Sequence, residues 1–186
     1  MNLVNSQFQT ARRLQRDFVF ISRAAFFCLL FFTCSAAAQQ NDLKEVPPPI
    51  KALSKEEKSA LEAQTDVKKR TLLTLELMDA RLLKAEDFKT KEEYRRMFDE
   101  LGGFHALMDN TLDYLKRNNT GSGKVLNNFK RIEINLRKNI NRLELIRRDL
   151  PTEYEPYVGR LIKLVREARS RAVEPLFGNT VLDDNE

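Results

Sequence analysis

The chain has no tryptophan, one histidine (His105) and two cysteines, Cys28 and Cys34, both within its first 38 residues. Each shortage excludes something. A single histidine cannot supply the paired Glu-x-x-His motifs of a di-iron bundle, and the residue three before His105 is Gly102. Haem is equally unsupported. Cys-x-x-Cys-His is absent, and Met97 and Met108 fall on the same helical segment as His105, so only Met78 could reach it from elsewhere. Beyond residue 38 no thiol remains for a disulfide or a thiolate metal site, so packing alone must hold that part together. Its serines are Ser54, Ser59, Ser122 and Ser170, and no Gly-x-Ser-x-Gly surrounds any of them. Gly121-Ser122-Gly123-Lys124 fails as a phosphate loop, because Val125 follows the lysine and no glycine lies five positions before Gly123. The expectation is a protein with no cofactor, no metal and no catalytic residues, and therefore not an enzyme.

Long apolar runs are also scarce. The strongest, residues 24–33, follows a positive stretch from Arg12 to Arg23 and precedes small residues at Ser35, Ala36, Ala37 and Ala38. This three-part order is that of a secretory signal peptide cut after Ala38. The run falls short of the roughly 20 apolar residues that a membrane span needs. The expected location is therefore exported, periplasmic or secreted. The alternative is an uncleaved membrane anchor over residues 18–38, which would have to bury Arg23. Removing the leader takes four arginines and one aspartate from a net charge of +5, leaving 28 basic against 26 acidic residues. The high pI thus reflects the leader in part, and no nucleic-acid partner is expected.

What remains is abundant charge and helical spacing. Residues 39–53 read as a proline-rich linker, with Pro47-Pro48-Pro49 favouring an extended chain. Ser54-Lys55-Glu56-Glu57 is a capping box that starts a first helix running to about Ala85. Thr90-Lys91-Glu92-Glu93 repeats the pattern before a second, in which Tyr94, Met97, Leu101, Phe104, Met108, Leu112 and Leu115 recur at three- and four-residue steps. Gly102-Gly103 interrupts it and implies a kink or a close helix crossing. Gly121 and Gly123 precede a third helix, residues 125–150, whose stripe is Phe129, Ile132, Leu136, Ile140, Leu143 and Leu150. A fourth follows Pro151, with Tyr154, Val158, Leu161, Val165, Ala168, Ala172 and Leu176. Pro175 and Gly178 close it. Strand-like alternation is not evident. The expected fold is all-α: an antiparallel four-helix bundle, up-down-up-down, over residues 54–178, with an acidic tail at 179–186.

The third helix also faces outward. Eight basic residues lie between Lys124 and Leu150, against Glu133, Glu144 and Asp149. At ~100° per residue, Ile134 and Leu145 fall nearly opposite the arc of Phe129, Leu136 and Ile140. Asn128 and Asn139 fall inside that arc, where a buried Asn can fix register in an assembly. The candidate partner-binding residues are Ile134, Leu145, Lys130, Lys138 and Arg142. The expected partner is an unidentified protein or envelope component, or a further copy of the chain in a homo-oligomer, with membrane contact only through an uncleaved leader. Leu53-Ser54-Lys55-Glu56-Glu57 resembles the Leu-Thr-x-x-Gln motif of the Spy/CpxP family of helical periplasmic chaperones at its leucine and, with serine for threonine, at the next position. That resemblance implies an alternative role as a periplasmic chaperone or stress sensor and carries over no site residue. The same residues also read as the plain capping box.

Overall fold

The computed structural model describes residues 46–177. The expected signal segment, the first part of the linker and the acidic tail lie outside the described residues. Among the described residues there are five helices and no strand: α1 (Lys55–Glu62), α2 (Val67–Thr90), α3 (Tyr94–Arg117), α4 (Gly123–Arg148) and α5 (Glu155–Phe177). No helix among them is long and apolar enough to cross a membrane.

The first expected helix is two. α1 is capped as its sequence dictates: Ser54 Oγ accepts the Glu57 amide at 3.1 Å, and the Ser54 amide donates to Glu57 Oε2 at 2.8 Å. The helix ends at Glu62. Asp66 restarts the chain as α2 by accepting the Lys69 amide at 2.9 Å. Thr65 and Lys68 would have carried the apolar stripe through this point, and neither can hold a straight helix to the core. The break lets Leu61 bury fully, and Arg70 donates to the Leu61 carbonyl at 2.6 Å, adding a side-chain donor to the Gln64 amide that already bonds this helix-end acceptor at 3.2 Å.

The expected Thr90 capping box does not form. Thr90 stays in the last turn of α2 and donates to the Asp87 carbonyl at 2.7 Å. Reversal comes from Glu92, whose φ of 58° is uncommon for a residue with a Cβ. α3 then begins after Glu93 with no side-chain cap.

Cross-helix contacts give the directions. Arg70 reaches Asn110 and lies over the Tyr114 ring, Arg81 meets Glu100, and Arg96 lies over Phe88. Numbers rise on α2 as they fall on α3, so the two are antiparallel. Glu133–Arg169, Glu144–Arg166 and Arg147–Glu155 set α5 antiparallel to α4 in the same way. Asp66–Lys124, Glu86–Arg142 and Lys89–Asp149 instead rise together, so α2 and α4 run parallel. Tyr94 with Tyr154, Phe98 with Tyr157 and Asp109 with Arg171 place α3 parallel to α5. Two helical hairpins therefore pack side by side.

Between them, α3, α4 and α5 bury most of the side chains that their spacing marks, including Met97, Leu101, Phe104, Leu136, Leu161 and Val165, while Tyr94, Ile140, Leu150, Tyr154 and Leu176 are only partly buried. Full burial of each such large side chain contributes about 1.5–3 kcal/mol. α2 behaves differently. Its buried positions are Thr71, Thr74, Met78, Leu82 and Ala85. The threonine hydroxyls are satisfied on their own helix, donating to the Val67 and Arg70 carbonyls at 2.8 and 2.9 Å.

The paired glycines lie in an uninterrupted α3. They are close-approach positions. A Cβ at Gly102 would sit 2.4 Å from the Ile50 carbonyl oxygen, and one at Gly103 would sit 2.8 Å from the guanidinium carbon of Arg81. At Gly102 the approaching chain is the end of the linker, and at Gly103 it is the Arg81 side chain of α2. Val46 donates to the Glu153 carbonyl at 3.2 Å, Lys51 reaches Asp109 at 2.6 Å, and Val46 and Leu53 pack against the core. Residues 46–53 thus form an arm laid on the bundle.

Gly102→Ala separates two opposing effects. Helix propensity improves by about 1 kcal/mol, while overpacking against a backbone carbonyl costs about 1–3 kcal/mol. The expected outcome is release of the arm. Trypsin cleavage after Lys51 should accelerate in the G102A chain while the helical circular-dichroism signal is retained; unchanged cleavage would contradict the close approach.

Candidate partner-binding face

α4 carries the five residues singled out from sequence. Ile134 and Leu145 are 55% and 53% exposed. Lys130 and Lys138 are exposed, and among the described residues neither has an ion-pair partner. Arg142 is placed differently. Its guanidinium turns toward α2, donating to both carboxylate oxygens of Glu86 at 2.7 Å and to Asp79 at 3.4 Å. This bidentate pair raises the Arg142 pKa, chiefly through the Glu86 hydrogen bonds and against the effect of burial. Arg142 is therefore engaged within the chain and borders the face.

The structure adds two residues on α2. Leu72 and Leu83 are 39% and 64% exposed. At ~100° per residue both lie within about 60° of Asp79 and Glu86, the α2 residues that reach α4. On α4, Ile134 and Leu145 lie about 80° and 60° from Arg142, the residue that reaches α2. The α2–α4 bonds join residues 56, 58, 60 and 63 apart in sequence. Leu72 and Ile134 differ by 62 in residue number, as do Leu83 and Leu145, so each pair lies level across the groove. One signal was available: both pairs have 11-residue spacing, three turns of one face. It was masked because Leu72, Leu73, Leu75, Leu77, Leu82 and Leu83 leave no polar face on α2 to orient it.

The buried asparagines do not reach this face. Asn128 is fully buried, donating to the Lys124 carbonyl at 3.1 Å and accepting from Arg131 at 2.9 Å. Asn139 donates to Asn135 at 2.6 Å, and its own Oδ1 has no partner. Their bonds stay on α4. On the other side of that helix, Arg137, Ile140, Arg166, Arg169 and Val173 help line an open groove of about 720 Å³ against α5. Arg137 and Arg169 both bind Glu133, at 2.8 and 2.7 Å, and hold its carboxyl below the ordinary 4.5.

Two further clusters sit under the arm. Arg81 donates to both oxygens of Glu57 at 2.8 Å and to Glu100 at 2.9 Å, joining α1, α2 and α3 through one guanidinium. Burial pushes Glu57 up, but the Arg81 and Ser54 hydrogen bonds and the charges of Arg81 and Lys84 outweigh it, so the carboxyl ends below its usual range. Nearby, His105 Nε2 lies 3.4 Å from Asp109, which also meets Lys51 and Arg171. Burial lowers the His105 pKa; Asp109 opposes this, while Lys51 and Arg171 add to the lowering. No group of three or more His, Cys, Asp or Glu side chains among the described residues is arranged to hold a metal ion.

Arg81→Met leaves Glu57 and Glu100 without their cation in a largely buried setting. Urea denaturation should register a loss of about 3 kcal/mol. His105 supplies a pH signature. Its folded pKa lies below the ordinary 6.5, so the unfolded chain takes up more protons as pH falls through that value, and stability falls with it. The unfolding midpoint should drop between pH 7 and pH 5, and His105→Asn should flatten that segment. Below about 4.5, further loss comes from Glu57 and Glu133, whose lowered values make their contribution full near neutrality and lost on protonation.

Comparison with protein families, curated proteins and solved structures finds no match for this chain.

Proposed function

We propose that this chain is an exported, non-catalytic helical bundle whose α2–α4 face binds a protein or envelope component. The finer fold reading belongs with this proposal: four long helices forming an up-down-up-down bundle, with α1 and the arm as additions. Export is supported by the order of positive stretch, apolar run and small residues before Gln39. An uncleaved leader would instead tether the bundle to a membrane.

The observation that carries the binding role is the level pairing of Leu72 with Ile134 and Leu83 with Leu145. Single exposed apolar residues are common on soluble proteins. Four of them, level in register on two adjacent parallel helices, concentrate apolar surface in the way that interaction surfaces do. The large carboxylates and guanidinium groups, by contrast, are largely engaged in joining helices, as at Glu57–Arg81–Glu100 and Glu133–Arg169.

The same exposed face supports a second reading, that of a chaperone holding unfolded clients. There the Spy/CpxP-like residues carry little, because Ser54 and Glu57 are occupied by the capping box and Arg81. Failure to slow aggregation of an unfolded client protein removes that reading.

The test of the docking face is capture from envelope extract by wild-type chain and by the I134K/L145K double variant. Both sites are exposed, so stability should stay within about 0.5 kcal/mol per site. Captured partner should fall at least about tenfold, as for loss of a central apolar anchor. Equal capture by the two chains would remove the face from the proposal.

A further inference from the structure

We propose that the occupant of the α2–α4 face is a second copy of this chain, related by a two-fold axis parallel to the helices. This rests on the docking-face reading above and names its partner. The argument is a matched pattern. Along α2 the outward series is Leu72, Glu76, Leu83; along α4 it is Ile134, Lys138, Leu145. Spacings are identical, and every level pair differs by 62 in residue number, within the register set by the α2–α4 bonds. One helix therefore presents apolar, acidic, apolar, and its parallel neighbour presents apolar, basic, apolar at the same heights.

A two-fold axis parallel to the helices carries α2 onto the partner's α4 without reversing its direction, so heights are kept. Leu72 then meets the partner's Ile134, Glu76 meets the partner's Lys138, and Leu83 meets the partner's Leu145. The reciprocal set forms at the same time, as a two-fold interface requires. Neither Glu76 nor Lys138 has an ion-pair partner among the described residues, so both charges are available for this contact. The match is confined to this stretch, because Lys69 would face the partner's Arg131 below Leu72 and Asp87 would face the partner's Asp149 beyond Leu83. A two-fold axis across the helices would instead bring Glu76 near the partner's Glu76 and Lys138 near the partner's Lys138, which repel.

The matched stretch is short. Leu72 to Leu83 is 11 residues, about 16 Å at 1.5 Å per residue. Two helices about 10 Å apart then present about 320 Å² per copy, below the roughly 800 Å² per partner of a standard stable interface, so the dimer is a weak, concentration-dependent one.

Disulfide trapping tests the register in the full chain, with Cys28→Ser and Cys34→Ser removing the native thiols. Differently tagged L72C and I134C chains, mixed and oxidised, should form the mixed disulfide efficiently, as should L83C with L145C. L72C with L145C should not, since their levels differ by about 16 Å. Charge reversal is the independent measurement. By light scattering over a concentration series, E76K should weaken dimer formation about tenfold, and E76K/K138E should restore it. No preference for matched over mismatched cysteine pairs, or no recovery in the double reversal, overturns the second copy. Should that occur while I134K/L145K still loses its captured envelope component, the docking face stands and only its occupant is wrong. Should capture be unaffected as well, the face itself fails.

Discussion

The architecture turns on the Arg81 guanidinium. It binds Glu57 from α1 through two hydrogen bonds and Glu100 from α3 through a third, while its own backbone belongs to α2. No Cβ could occupy position 103 without meeting that group. One cation thus ties three helices, and the absence of a side chain at Gly103 gives it room. At the adjacent position, Gly102 lets the Ile50 backbone lie on α3, and the arm continues to Asp109 through Lys51. Removing a partner from such a cluster leaves charge in a poorly solvated place, which is why its members matter more than the exposed pairs elsewhere.

α2 and α4 show how one bundle can be specified from inside and outside at once. α4 buries a conventional stripe, tolerates two buried asparagines by bonding them to its own turns, and turns Arg142 to α2. α2 gives the core two threonines and keeps two leucines outside. That exchange lowers apolar burial at α2 relative to what its composition allows. The leucines left outside line up with Ile134 and Leu145, so the loss at the core coincides with a patch at the surface. This coincidence is the physical basis for the functional reading and for the symmetric partner.

How much was legible beforehand varies by helix. On α3, α4 and α5 most apolar residues occupy one arc each, and most residues so marked are buried, while Ile140, Leu150, Tyr154 and Leu176 are only partly so and Phe98, Leu107, Ile146 and Ile162 join the core unmarked. Ser54 with Glu57 announced the start of α1. Ile134 and Leu145 stood out because α4 has a polar face against which an apolar residue is visible. Thr90-Lys91-Glu92-Glu93 carried the same capping signature as Ser54-Lys55-Glu56-Glu57 and still did not cap. The Thr90 hydroxyl was taken by the Asp87 carbonyl, and the reversal was made by Glu92. A local pattern offers a bond; neighbours decide whether it is made.

The sequence by itself determined an all-helical chain, the faces of its last three helices and the exposed pair on α4, because those depend on periodicity within a single segment. It also marked Gly102 and Gly103 as exceptional. Only the tertiary structure decided what approached the glycines, where the first helix broke, that Arg142 belonged to α2, and which leucines of an all-round apolar helix faced out. Each of those depends on what lies across a groove, and periodicity along one helix holds no information about its neighbour.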